Sequence, residues 1–214
     1  MNNFLVRICK GASCIAVTEI TDIPENEVLH TSELEYISSA CAARRREFTA
    51  GRFAAKSAAK ALCPELPEMT DFPVSYGEYG EPVIKDGPGL SISHDGKTAA
   101  AVCWKRDGLP SGIDLHHISG AAYEVRNGFL DDNDENVLNR EQPADAKLLY
   151  SYAWCAKESL SKLIRRGLSA MSDIRLISFC FAEGICHVAM TYGNERFTAY
   201  ILRNGDLLMS LCVP

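Results

Sequence analysis

Apolar positions along this chain alternate in short runs near both ends and recur at helical spacing in between. "FLVRI" and "CIAVTEI" read as two strands joined across "CKGAS", where glycine and serine supply the turn. Helix signals then run from about Ser32 to Leu62. Ser32 serves as the cap, with Glu35 three residues on as the other half of a capping box. Alanine, arginine and lysine fill "CAARRREFTAGRFAAKSAAKAL" at helical density. Gly51 inside that stretch costs about 1 kcal/mol relative to alanine, so its presence implies a close approach. Pro64 and Pro67 end the helix.

From Phe72 to Leu115 the texture changes to strands. "PVSY", "EPVI", "LSIS", "TAAAVCW" and "SGIDL" are separated by turn clusters such as "GEYGEP", "KDGPG" and "HDGK". Helices come next, at about Ala121 to Phe129 and Ala146 to Arg165. The chain returns to strands in "IRLISFCF", "ICHVAM", "RFTAYIL" and "LLMSLCV". The fold class is α+β, as two similar α/β halves meeting near residue 108, with domains 1–108 and 109–214. No sequence repeat supports the division.

The second long helix contains "SYAWCAKESLSKL", Ser151 to Leu163. At about 100° per residue, Leu148, Leu149, Tyr152, Ala156, Leu160 and Leu163 share one face. Trp154, Glu158 and Lys162 share the opposite one, at i, i+4, i+8 spacing. A tryptophan beside two charges implies that this second face is also partly buried.

Composition narrows the possibilities. The 214 residues are 47% hydrophobic, as in an ordinary globular protein. With 28 acidic and 22 basic side chains the net charge is −6, which argues against bulk nucleic-acid binding and against docking on an anionic membrane. "MNNFLVRICKGA" has too short an apolar run and too early a charge for a signal peptide. No stretch approaches the roughly 18 to 20 apolar residues of a membrane span. Nine scattered cysteines without a C-x-x-C read as reduced thiols in a cytoplasmic protein.

Candidate chemistry lies in three places. In "SGIDLHH" a strand points Asp114 and His116 the same way, and an aspartate in an apolar strand is costly unless paired. Asp114 is either a strand-end turn cap or a metal ligand. Glu158 and Lys162 form either a surface pair, worth about 0.3–0.5 kcal/mol, or half of a site with a second carboxylate. "LSISHDG" ends a strand with Ser91, Ser93 and His94, and a histidine there is either structural or functional. In "RRREFTAGRFAAK", Arg44, Arg45, Arg46, Arg52 and Lys56 form either a solvated basic face or a phosphate clamp.

The order of these motifs is more telling than any one of them. "GxxAAK" after an arginine cluster, then "YGEP", "SISH", "GIDL" and "WxxKESxxK" resembles the Sfp-type 4'-phosphopantetheinyl transferases, particularly the shorter siderophore-associated members. The matching motifs run from about Arg44 to Lys162. The resemblance implies a pseudodimer with coenzyme A in the cleft between its halves, working as a monomer. It implies a magnesium-dependent enzyme that moves the phosphopantetheine arm of coenzyme A onto a serine of an apo acyl or peptidyl carrier protein and releases adenosine 3',5'-bisphosphate. By the same resemblance Asp114 and Glu158 hold the metal and are catalytic, with Lys162 on the phosphates and the leaving group. Arg52 and one or more of Arg44, Arg45 and Arg46 meet the 3'-phosphate. Tyr79, Gly80 and Pro82 border the adenine, and Ser93, His94 and Lys157 complete the coenzyme A contacts. Asp134 lies near an acidic residue of many relatives, a candidate base.

One departure matters. Where many relatives place a glutamate as a further metal ligand, this chain has His116. Imidazole is a poor magnesium ligand, so either water fills the place or His116 shifts the preference toward manganese. Two other readings stand beside the transferase: a catalytically weak relative that binds coenzyme A or a carrier protein, and a magnesium-dependent phosphohydrolase of another fold.

Overall fold

The computed structural model describes residues 5–140 and 146–214, and the chain forms two compact units, Met1–Ser111 and Gly112–Pro214. In the first unit Gly11, at a φ of 59°, turns β1 (Leu5–Lys10) back onto β2 (Ser13–Glu19). Phe4, the first residue of the strand expected there, lies outside the described residues. Two short helices come next, α1 (Glu25–Val28) and α2 (Thr31–Tyr36), and then the long α3 (Ala42–Leu62). A two-stranded hairpin, β3 (Ser75–Tyr76) with β4 (Pro82–Val83), precedes β5 (Gly89–Asp95) and β6 (Thr98–Trp104). The main sheet is antiparallel in the order β1-β2-β6-β5. Small side chains on both surfaces bring α3 close to it: Ala54, Ala55, Ala58 and Ala59 pack with Cys14, Ala16, Ala101 and Cys103. Gly51 marks the tight approach, since a Cβ there would stand 3.3 Å from Ile92 Cγ2.

The second unit repeats the theme of one long helix on one antiparallel sheet. Its elements are β7 (Gly112–His117), α4 (Ala121–Glu124), α5 (Asp132–Arg140), α6 (Ala146–Leu163), β8 (Arg175–Ala182), β9 (Ile185–Tyr192), β10 (Glu195–Asn204) and β11 (Leu207–Val213). The sheet order is β7-β11-β10-β9-β8, so the last strand carries β7. Alternate residues of β9, β10 and β11 are buried, the period-2 signature of a sheet with one covered face. Ala153, Ala156 and Leu160 of α6 join Val188, Met190, Ile201 and Leu208 in that core. The α+β class read from the sequence is the architecture found.

Several local expectations differ from the structure. The helix expected over Ser32 to Leu62 is two helices, α2 and α3. Ser38 Oγ turns back to the carbonyl of Glu35 at 2.8 Å, a local bond that competes with helix continuation. The cap of α2 is His30, not Ser32: the His30 ring accepts from the Ser32 N–H, while Glu33 accepts from the His30 N–H at 2.9 Å. A separate helix, α5, occupies the acidic stretch after Phe129, where the apolar pattern predicts none. Cys9 and Cys14 are cross-strand partners joined by a disulfide, contrary to nine reduced thiols; the other seven cysteines are free.

Candidate functional site

The geometry around β7 begins with a glycine. A Cβ on Gly112 would lie 1.9 Å from the Ser159 carbonyl oxygen and 2.8 Å from the Leu163 nitrogen, so only glycine lets the α6 backbone rest on this strand. The seam is reinforced by a 2.8 Å hydrogen bond between the buried hydroxyls of Ser159 and Ser210. Ser210 stands opposite Asp114 in the β7–β11 register, which puts Asp114 on the strand face turned toward α6. Asp114 is 1% exposed. Its carboxylate accepts a 2.7 Å hydrogen bond from Lys162 Nζ, which also lies 3.4 Å from Glu158 Oε1. The tryptophan of the same helix face is half-buried: Trp154 meets the Phe129 ring edge-on at 5.0 Å and lies 6.1 Å from the His116 ring. The second face of α6 therefore looks onto β7.

Charges at this seam hold one another. Burial opposes the Lys162 ammonium, but the carboxylates of Asp114 and Glu158 outweigh it and raise the lysine's pKa above its ordinary value. Lys162 thus stays a cation across the neutral range. Beside it, burial and then the Asp114 charge push the Cys155 thiol far above its ordinary value, so Cys155 packs as an inert thiol.

Two carboxylates converging on one cation form a donor set that fits magnesium, which takes one or two carboxylates and fills its shell with water and phosphate oxygens. Among the described residues no three His, Cys, Asp or Glu side chains form a cluster able to hold a metal. The His116 ring lies 6.1 Å from the Trp154 ring.

The first unit places the remaining candidates. His94 succeeds the buried Ser93 near the end of β5 and is exposed, with its Nε2 3.3 Å from Arg44 Nη1. Arg44 is thus the member of the arginine run beside "SISH". Arg45 is committed elsewhere: its guanidinium pairs with Glu25 and donates to the Ile37 carbonyl at 3.0 Å, tying α1 to α3. Arg46 is half exposed, 4.0 Å from Asp22. Arg52 departs from its expected phosphate role. It is 5% exposed, paired with Glu33 at 3.1 Å and stacked on Phe48 at 4.3 Å, because α3 turns it inward among aromatic side chains. Lys56 is likewise interior, donating to Val28, Met69 and Glu33. In the β3–β4 hairpin Gly80 has a φ of 80° and Tyr79 is exposed, while Pro82 opens β4.

Lys157 and Asp134 also differ from expectation. Both are wholly buried and paired with each other. Lys157 Nζ further donates to the carbonyls of Phe129, Met171 and Ile174, and Asp134 accepts from the Leu176 N–H at 2.7 Å. Burial pushes the lysine's pKa below its ordinary value, against the pull of Asp134. With every donor taken up inside the unit, Lys157 has none left for coenzyme A, and Asp134 is closed to a substrate proton. The sequence marks both residues but not their pairing, because neither neighbour pattern nor spacing reveals a buried ion pair; the one signal toward it is a lysine at an apolar flank of α6.

The model of the 4'-phosphopantetheinyl transferase N-terminal domain matches residues 32–103, and that of the 4'-phosphopantetheinyl transferase superfamily matches residues 110–212. No curated protein matches the chain. Among solved structures it is similar to a holo-(acyl-carrier-protein) synthase from Bacillus anthracis str. Ames in complex with CoA (3',5'-ADP), with 28% identity, 44% of this chain and 96% of that chain covered, and a TM-score of 0.39. The two family models together span both long helices, β5 and β7, including Asp114, Glu158 and Lys162, and the chain belongs to the 4'-phosphopantetheinyl transferase superfamily.

Proposed function

We propose that this chain transfers the phosphopantetheine arm of coenzyme A to a serine of an apo acyl or peptidyl carrier protein, with Asp114, Glu158 and Lys162 as the working side chains and magnesium as the metal. The observation that carries the assignment of roles is the meeting of Asp114 and Glu158 on one lysine ammonium, across a strand–helix seam that only a glycine permits. The Sfp-type motif order supports placing the chain in that branch of the family.

The reaction forms a bond from the serine oxygen to the phosphoryl group carrying the pantetheine arm, and breaks that phosphorus's bond to adenosine 3',5'-bisphosphate. Positioning and charge stabilisation do most of the work in such transfers. Glu158 is 22% exposed and Asp114 1% exposed on their side chains. Glu158 is therefore the carboxylate within reach of the serine proton, while Asp114 fixes Lys162. Lys162, held as a cation and a quarter exposed, neutralises the charge that develops on the departing phosphate. Bound magnesium, held by Asp114 and Glu158, would offset the pyrophosphate charge and polarise the reacting phosphoryl group. In the first unit, Arg44 beside His94 is an exposed cation of the kind that binds phosphate. Seven free cysteines weigh toward a reducing compartment such as the cytoplasm, and the single Cys9–Cys14 disulfide weighs against it. No helix among the described residues is long and apolar enough to cross a membrane.

The test is incubation with coenzyme A, magnesium and a panel of apo carrier proteins, read by intact mass. The wild-type chain adds the arm to at least one carrier. Asp114→Ala and Glu158→Ala each slow transfer by about a hundredfold or more without loss of fold. Near-normal rates in both variants at limiting magnesium would remove these residues from the mechanism.

A further inference from the structure

Each unit holds a wholly buried lysine on its long helix, and the two are fastened alike. Lys56 donates to a carboxylate 23 residues earlier, Glu33, and to a carbonyl 28 residues earlier, Val28. Lys157 donates to a carboxylate 23 residues earlier, Asp134, and to a carbonyl 28 residues earlier, Phe129. The next carbonyl acceptors lie 13 residues later at Met69 and 14 later at Met171. Even the second carboxylate oxygen has the same use: Glu33 accepts from the Val74 N–H across 41 residues, Asp134 from the Leu176 N–H across 42. The sequence shows no such repeat, because the carboxylates differ and the carbonyl and N–H groups belong to the backbone.

The two helices differ in the residues that succeed the lysine. One and five residues after Lys157 come Glu158 and Lys162; the same steps after Lys56 reach Ser57 and Ala61. In the second unit the fastening therefore adjoins the residues assigned to chemistry. We propose that the Asp134–Lys157 tie is a positioning device that fixes the rotation of α6, so that Glu158 and Lys162 meet Asp114. This inference rests on the function proposed above.

The physical case is geometric. Lys157 anchors one flank of α6 to backbone before α5 and after α6, at Phe129 and at Met171 and Ile174. Glu158 projects about 100° around the axis from that anchor. With side-chain ends about 5–6 Å from the axis, a rotation of about 20° moves the Glu158 carboxylate by roughly 2 Å. Misplacement by about 1 Å in a transfer site can cost a hundredfold in rate. Phe129 belongs to both arrangements: its carbonyl accepts from Lys157, and its ring supports Trp154 on the working face. Trp154 thereby reports the rotation independently of any reaction.

The decisive protein is Asp134→Asn/Lys157→Met, which removes both buried charges rather than stranding one. Its kcat falls at least about tenfold while KM for coenzyme A changes less than about threefold, the split expected when only the transition state loses its partners. In a Trp104→Phe background, Trp154 emission shifts in the same variant. Lys56→Met, which leaves Glu33 paired with Arg52, keeps the wild-type kcat. A folded double variant with wild-type kcat and unshifted emission overturns the inference. If the wild-type chain transfers nothing, the proposed function fails, and Trp154 emission alone decides the positioning claim: a shift supports it and no shift overturns it. If the double variant does not fold, Asp134→Asn alone is judged by the same two readouts, since it keeps the lysine and its three carbonyl acceptors.

Discussion

Gly112 concentrates the residue-scale logic of the second unit. Its missing side chain is the condition for α6 to lie on β7, because a Cβ would sit 1.9 Å from a helix carbonyl oxygen, far inside van der Waals contact, rather than against a movable side chain. Overpacking of a core by one methyl costs about 1–3 kcal/mol when neighbours can shift. Here the neighbour is backbone, so Gly112→Ala should cost about 3 kcal/mol or more by urea denaturation. Gly128, with nothing within 4 Å of its notional Cβ, supplies the contrast: Gly128→Ala should stay within about 0.5 kcal/mol. Equal effects would mean that the seam is not close-packed. The sequence made Asp114 legible as a costly strand aspartate and Trp154 as a misplaced tryptophan. It could not show that Arg52 and Arg45 turn to Glu33 and Glu25, since an arginine's target is set by which way the helix faces, and that is decided by tertiary packing.

Elements were legible where a single period dominated. β6 and β11 occupy the runs "TAAAVCW" and "LLMSLCV" from end to end, both being apolar strings bounded by turn residues. The helix α5 was not, because "DNDENVLNR" is polar nearly all round and has no stripe to read. What holds its start is a cap: the Asp131 carboxylate accepts from the Asp134 N–H at 2.9 Å, and Asp134 reaches back to the Asp131 N–H at 3.3 Å. The backbone hydrogen bond from Asp134 lowers the Asp131 pKa below its ordinary 3.8, with burial opposing and Arg175 assisting. A carboxylate with a depressed folded pKa adds stability that is fully present above its unfolded value and is lost as pH falls through the folded one. Asp131→Ala should therefore cost about 1 kcal/mol at about pH 6. The gap to wild type should narrow when both are denatured with urea near pH 3. A gap that stays constant between the two pH values would assign the loss to packing rather than to the charged cap.

At the scale of the whole chain, the two units share a scaffold and divide its uses. Each lays a long helix on an antiparallel sheet and fastens it with a buried lysine. Among the described residues, only the second carries a strand aspartate facing a helical glutamate and lysine. At the matching helix positions of the first stand Ser57, which is buried, and Ala61. Neither supplies charge to a phosphate or a hard oxygen anion to a metal. A doubled fold thus need not mean a doubled site. The proposed chemistry requires one magnesium-supported coenzyme A site per chain, which isothermal titration calorimetry measures directly. A stoichiometry near one, with the magnesium dependence of the affinity abolished by Asp114→Ala, is the expected result. Two equivalent sites per chain would show that the first unit holds metal and pyrophosphate without these carboxylates, and the assignment of the chemistry to Asp114, Glu158 and Lys162 would fall with it.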